Sequence, residues 1–209
     1  MIALSQKELE IIDLFRNDLF RKETIRGIMK AISKSSYPWI FNAVKKLIKE
    51  KMLLAEKKGK STVCSINLDS LEALHYLSLL DYFEAFNAKH IPFGQIKELI
   101  DHIPGAYFSF IVAGSYAKEK QTKESDIDIT VIIEEETNKK RVYNYLFNKG
   151  SLMIPKVHPF VFTKDEFLHM LLDKEENFGK LLYRKRMIYF GAENYYLIVK
   201  EAILNGFRG

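Results

Sequence analysis

The chain has a single cysteine, Cys64, in 209 residues. That excludes an intrachain disulfide and a cysteine metal cluster, and leaves Cys64 as a buried or half-buried strand residue. The five histidines, at 75, 90, 102, 158 and 169, make no zinc spacing. Long apolar runs are also missing. The longest uncharged stretch, His102 to Ala117, is shorter than a membrane span and contains Pro104 and two glycines. Met1-Ile2-Ala3-Leu4-Ser5-Gln6-Lys7-Glu8 has neither the basic start nor the apolar core of a secretion signal. A cytoplasmic protein with no membrane partner is the expectation. No internal repeat or low-complexity segment interrupts the chain. What is present is a 47% hydrophobic composition with fifteen Phe, ample for packed cores in one large or two small domains.

The chemistry concentrates in one place. Gly114-Ser115 is followed ten residues later by Ser125-Asp126-Ile127-Asp128. Apolar runs beside both pieces predict strands, Tyr107 to Ala113 before the glycine and Ile127 to Ile133 through the second aspartate. Asp126 and Asp128 flank one isoleucine, so strand alternation points both carboxylates to the same face. Mg²⁺ takes oxygen ligands, typically one or two carboxylates together with substrate phosphates. A Gly-Ser turn offers backbone N–H groups and a hydroxyl to phosphates, with no β-carbon at the glycine to block them.

Gly114-Ser115-Tyr116-Ala117-Lys118 and Ser125-Asp126-Ile127-Asp128 resemble the signature of the DNA polymerase β-like nucleotidyltransferase superfamily. Within it, the likeness is to the minimal nucleotidyltransferases of archaea and bacteria. The resemblance implies a small mixed sheet with flanking helices. It also implies two Mg²⁺ ions, an NTP substrate, and in-line transfer of a nucleoside monophosphate to an acceptor. By that likeness Gly114, Ser115 and Ser125 are nucleotide-binding. Asp126 and Asp128 are the catalytic metal ligands.

The chain departs from the family pattern at two places. Glu119 stands where members usually carry a glycine that helps the loop close over phosphates. The third carboxylate, expected on a later strand, has no counterpart: the candidate strand Leu152 to Phe162 contains no Asp or Glu, and its polar residues are Lys156 and His158. A histidine can serve as a base near neutral pH, yet it holds hard cations less well than a carboxylate. For His158 a structural role is the primary reading. Asp165 and Glu166 follow that strand, but Thr163-Lys164-Asp165-Glu166 reads as a capping box opening the next helix.

Charge divides the chain. Residues 1–66 carry 14 Lys and Arg against 7 Asp and Glu, whereas residues 67–209 carry 18 against 20. Basicity confined to one end is an electrostatic footprint for nucleic acid. The pattern beneath it predicts a first amphipathic helix through Leu4, Leu9, Ile12 and Phe15, and a short second one over Thr24–Ile32 with Thr24 as N-cap. A third begins after Ser35-Ser36-Tyr37-Pro38, with Pro38 in its first turn, and buries Ile40, Val44, Leu47 and Ile48. Strands over 51–56 and 61–67 flank a basic turn, Lys57-Lys58-Gly59-Lys60. This string resembles the winged helix-turn-helix modules of bacterial and archaeal transcription regulators. The resemblance implies double-stranded DNA as partner, with the third helix in the major groove. Ser35, Ser36, Tyr37, Trp39 and Asn42 are then placed at the groove, with Lys45, Lys46, Lys57, Lys58 and Lys60 at phosphates. Trp39 fits either the groove or the core.

Asp69 to His90 reads as a helix with more apolar surface than a free linker needs, serving as a domain cover or as a homodimer seam. Helices are also expected over 95–103, 137–148, 165–172 and 194–204, and a short strand over 187–190. Arg184-Lys185-Arg186 reads as a solvated turn, with contact to a triphosphate or an acidic partner as the alternative.

The expected fold class is therefore α+β. An N-terminal winged helix-turn-helix (residues 1–68) leads through a connecting helix (69–90) to a nucleotidyltransferase-like mixed sheet flanked by helices, with a helical tail (91–209). The expected function is a DNA-binding protein that binds Mg-NTP and transfers a nucleoside monophosphate to an acceptor. Two alternatives stand beside it. One is a catalytically inactive nucleotide-sensing transcription regulator; the other, implied by the resemblance, is an antitoxin partner of a HEPN-type toxin.

Overall fold

In a computed structural model of the chain, residues 3–32 and 36–209 are described. They form two compact units, Met1–Leu80 and Asp81–Gly209.

The first unit is built from helices and a small hairpin. Helix α1 (Gln6–Arg16) starts at a capping box: the Ser5 hydroxyl accepts from the Glu8 N–H, and Glu8 Oε2 accepts from the Ser5 N–H at 2.8 Å. Its apolar stripe, Ile11, Ile12 and Phe15, is fully buried. The two-residue strand β1 (Glu23–Thr24) leads into α2 (Ile25–Ala31), with Thr24 the N-cap expected from sequence. Helix α3 (Tyr37–Lys49) begins with Pro38 in its first turn and buries Ile40, Val44 and Leu47. Ala43 completes that face, whereas Ile48, expected in the core, is only half-buried.

Strands β2 (Leu53–Lys58) and β3 (Ser61–Ile66) pair antiparallel around a two-residue turn, Gly59-Lys60. A turn this short needs positive φ, which Gly59 supplies at +59°. The strand therefore runs two residues further than expected, and Lys57 and Lys58 belong to β2 rather than to the turn. Sequence periodicity also missed β1, since two residues carry no alternation; it completes a sheet of order β1-β3-β2. Cys64 is buried on β3.

Helix α4 (Leu71–Asn87) runs through the boundary between the units. The second unit centres on a four-stranded sheet of order β6-β5-β4-β7. Strand β4 (Phe108–Val112) pairs antiparallel with β5 (Ile127–Ile133) and β7 (Met187–Phe190), while β6 (Val157–Thr163) runs parallel to β5. The sheet is thus mixed, as expected. Parallel strands need a crossover, supplied by α7 (Lys139–Gly150). With α5 (Phe93–Asp101), α7 covers one face over Phe110, Val112, Ile127, Ile129 and Val131. Helices α8 (Lys164–Leu172), α9 (Phe178–Arg184) and α10 (Ala192–Leu204) lie on the other face. A central strand buried on both sides explains why β5 reads Ile-Asp-Ile-Thr-Val-Ile-Ile, nearly unbroken in apolar residues.

Strand β6 begins five residues later than the apolar run suggested. Leu152 and Ile154 are instead exposed in the connection from α7. Pro155 and Pro159 account for the difficulty: neither gives an N–H to a ladder, and β6 tolerates Pro159 because it is an edge strand. The expected capping box at Thr163 and Glu166 is present, and Lys139 Nζ reaches Glu166 Oε1 at 2.6 Å. Together the Lys139 ammonium and the Thr163 N–H hold the Glu166 carboxyl below its usual range.

The basic cluster before β7 is not a solvated turn. Arg186 is buried: its guanidinium donates to the Tyr183 carbonyl at 2.7 Å and to the Tyr196 hydroxyl at 3.1 Å, and lies 3.9 Å from the Asp81 carboxylate. Tyr196 in turn donates to Asp81 Oδ2 at 2.6 Å. A charge dehydrated to this degree is tolerated only with such partners, and local sequence could not show an aspartate 105 positions away (residue 81 against 186). Arg184 instead pairs with Glu176 at the surface. Among the described residues no helix is long and apolar enough to cross a membrane.

Candidate functional site

The Gly-Ser turn and the aspartate strand meet because β4 and β5 are partners. Val112 pairs with Ile129, and one step further the Ala113 N–H donates to the Asp128 carbonyl at 2.8 Å. The chain then turns into a single helical turn, α6 (Gly114–Ala117). Gly114 has φ +63° and lies against Asp128 so closely that a β-carbon there would overlap the Asp128 carboxylate. Both facts call for glycine at this position.

After α6 the Glu119 N–H donates to the Tyr116 carbonyl and the Lys120 N–H to the Ser115 carbonyl, at 3.2 and 2.9 Å. This is a Schellman closure, whose residue past the cap is left-handed and usually glycine. Glu119 occupies that place with φ +53°. The glycine expected from the resemblance thus has a conformational reason. Here a glutamate keeps the same backbone geometry and adds an exposed charge.

The rest of the loop is self-closed. Ser125 Oγ accepts from the Thr122 N–H at 2.9 Å and lies 3.2 Å from Thr122 Oγ1, while the Ser125 N–H returns to the Thr122 carbonyl. The Ser125 hydroxyl is therefore engaged in shaping the loop. Asp126 is exposed and stands immediately before β5; Asp128 is the second residue of the strand and 31% exposed. Ile127 between them is fully buried, so Asp128, its neighbour on the strand, faces away from the side that takes Ile127.

Two residues escaped sequence reasoning. Tyr116 is buried, and its hydroxyl points toward the Ser125 carbonyl at 3.5 Å. Burial, reinforced by the Asp126 carboxylate, pushes that hydroxyl's pKa upward, so it stays protonated. His90 Nε2 lies 3.0 Å from the Tyr116 carbonyl, fixing the turn from below. Tyr116 lies within the quoted signature but was given no role of its own, and His90 carries no spacing that would have marked it.

On the neighbouring strand, the residue in register with Asp128 is His158. Its Nδ1 is 3.4 Å from Asp128 Oδ1, and its ring lies 4.6 Å from that of Phe160, which contacts Phe178. No carboxylate from β6 joins the pair. Among the described residues there is no preassembled group of three or more His, Cys, Asp or Glu side chains able to hold a metal.

The residues expected at nucleic acid distribute unevenly over the first unit. Ser35 lies outside the described residues. Ser36, Tyr37, Asn42 and Lys45 are exposed on or just before α3, with Tyr37 stacked on Phe41 and Lys45 over the Phe41 ring at 4.6 Å. Trp39 is half-buried beneath Lys7, whose Nζ is 5.0 Å from the ring, a position between groove and core. Lys46 is tied to Glu8 at 3.0 Å. Lys57, Lys58 and Lys60 are exposed at the hairpin tip, with Lys58 3.7 Å from Glu56. Arg26, Tyr37, Phe41 and Lys60 line one groove between helices and hairpin.

Residues 95–194 match the family described as the nucleotidyltransferase domain. The second unit therefore carries a nucleotidyltransferase domain of the DNA polymerase β-like superfamily. No curated protein and no solved structure matches the chain.

Proposed function

We propose that the second unit binds a nucleoside triphosphate with a divalent cation, Mg²⁺ in the first instance, and transfers a nucleoside monophosphate to an acceptor. The observation that carries this reading is the seating of Gly114, at positive φ, directly against the Asp128 carboxylate. A glycine without a β-carbon lets the turn seat the carboxylate against its backbone, so that a cation on the carboxylate and phosphate oxygens on the turn would meet in one place. In this reading Gly114 and Ser115 orient the triphosphate, and Tyr116 holds the loop that presents Asp126. Asp126 and Asp128 would hold the cation. Two carboxylates fit one Mg²⁺ whose remaining ligands come from phosphate and water. Such an ion, when bound, neutralises phosphate charge and polarises the phosphoryl oxygens.

A second reading has its own observation. His158, not a carboxylate, stands beside Asp128 on β6, which favours a nucleotide-sensing domain that binds without transferring. The first unit, a winged helix-turn-helix in this reading, supplies duplex DNA binding. Its support is the basic excess of residues 1–66 and the exposed lysines of the hairpin.

Calorimetric titration of Mg²⁺-ATP, then the other NTPs, into wild type and an Asp126→Asn/Asp128→Asn variant tests the nucleotide reading. Cation-dependent binding that disappears in the variant is expected. A wild type that binds no nucleotide would sink it and leave the first unit as the functional part. Release of pyrophosphate on addition of acceptors separates transfer from sensing.

A further inference from the structure

We infer that His158 is a ligand of the nucleotide-bound cation, and that its imidazole makes the site prefer Mn²⁺ over Mg²⁺. This inference rests on the nucleotide-binding reading above and deepens it by naming the cation.

The argument begins with register. Asp128 and His158 are directly paired on parallel strands, so their side chains leave the same face of the sheet side by side. The separation of Asp128 Oδ1 from His158 Nδ1 is 3.4 Å. Two donors on one cation with bonds of about 2.1 Å stand about 3.0–3.4 Å apart in octahedral or tetrahedral shells. The pair therefore already has the spacing of adjacent ligands.

The imidazole is also supported from behind. Its ring lies 4.6 Å from the Phe160 ring, and Phe160 lies 4.7 Å from Phe178 on α9. A side chain with this backing is restricted in where it can swing, although it is 59% exposed and open to a ligand. On its other side Asp128 Oδ2 fills the room that a Gly114 β-carbon would need, and at 31% exposure the carboxylate remains open to a ligand.

Chemistry then selects the ion. Mg²⁺ is a hard cation that prefers oxygen donors and gains little from an imidazole. First-row transition ions accept nitrogen readily, and Mn²⁺ is the one among them that still suits carboxylate and phosphate oxygen. A carboxylate-carboxylate-imidazole set completed by phosphates is a Mn²⁺ environment. The missing third carboxylate is then a change of cation rather than a loss of the site. Among the described residues no three such side chains form a group able to hold a metal, so the ion would need the nucleotide's phosphates to complete its shell.

The test uses the full chain with Mn²⁺ or Mg²⁺ and a non-hydrolysable ATP analogue. Binding is followed by calorimetry and by loss of the free Mn²⁺ electron paramagnetic resonance signal. Pulsed resonance detects ¹⁴N coupling from a coordinated imidazole. Wild type should show the nitrogen coupling and bind the Mn²⁺-nucleotide in preference to the Mg²⁺ form. In His158→Asp the coupling should vanish and the Mn²⁺:Mg²⁺ preference should fall by roughly tenfold, with nucleotide still bound. His158→Ala should lose the coupling and weaken Mn²⁺ without restoring Mg²⁺. If wild type binds the Mn²⁺-nucleotide without nitrogen coupling, and Asp128→Asn abolishes that binding, the cation is held without His158. The inference then fails while the nucleotide reading stands. If wild type binds nucleotide with neither ion, both fail together.

Discussion

Asp128 and His158 face each other in register across β5 and β6, 3.4 Å apart, on the sheet face opposite the one that buries Ile127 and Ile129. Gly114 touches the same Asp128 from the β4 side. One carboxylate is thus constrained by two neighbouring strands, and changes on either side should be felt at it.

Gly114→Ala should act on binding more than on stability. The new β-carbon forces left-handed backbone on alanine and displaces the Asp128 carboxylate, for a cost of about 1–3 kcal/mol. Thermal unfolding measures that part. Calorimetry with Mg²⁺-ATP should show nucleotide binding reduced well beyond it, and unchanged affinity would mean that Asp128 can move without consequence.

Glu119 separates conformation from charge. Glu119→Gly relieves a left-handed non-glycine residue, which is offset in part by the greater freedom of glycine in the unfolded chain, so the gain should be at most about 1 kcal/mol. Removing an exposed carboxylate from the loop should also tighten triphosphate binding by roughly twofold to fivefold. Glu119→Gln should reproduce the tighter binding without the gain in stability. Equal affinity in all three proteins would place Glu119 away from the phosphates.

Glu8 links the α1 cap to α3. Burial alone would raise its pKa, but the Ser5 N–H, the Lys46 ammonium and the Ser5 hydroxyl outweigh that and hold it below the ordinary 4.5. A carboxylate whose folded pKa is depressed contributes stability above its unfolded pKa and loses it as pH falls through the folded value. Glu8→Gln should therefore destabilise the protein by about 1–2 kcal/mol at pH 7, with the difference shrinking below pH 4.5. Denaturant titrations of both proteins at pH 7 and pH 3 check the sign.

At the hairpin, Lys57, Lys58 and Lys60 should act as phosphate contacts. Replacing all three with alanine should lower the slope of log affinity against log salt for duplex DNA by about 2.7, near 0.9 for each contact. Fluorescence anisotropy over a salt series measures it. A slope that does not change would remove the hairpin from the DNA surface, and a wild type that ignores duplex DNA at low salt would remove the partner altogether.

Some of this organisation was legible without coordinates, and the particular elements say why. β5 was read to its ends because a strand buried on both faces is a sharply bounded apolar run. The caps at Thr24 and Thr163 were legible because a cap is a relation among four consecutive residues, although the capping box of Ser5 and Glu8 was not among the expectations. β1 was missed because two residues have no period, and the start of β6 because Leu152 and Ile154 are apolar yet exposed. At the candidate site, the Gly-Ser turn and the aspartates were found by type and spacing. Tyr116 and His90 were not, since their roles depend on where their atoms fall.

By itself the sequence determined the α+β class, the segregation of basic charge, the helix caps and the presence of two carboxylates beside a phosphate-suited turn. Each follows from interactions between residues near one another in the chain. Tertiary structure alone decided that Arg186 is a buried partner of Asp81, that Glu119 occupies a glycine's conformation, and that the residue beside Asp128 is His158. Those depend on strand order, register and desolvation, which arise only when segments distant in the chain are packed together.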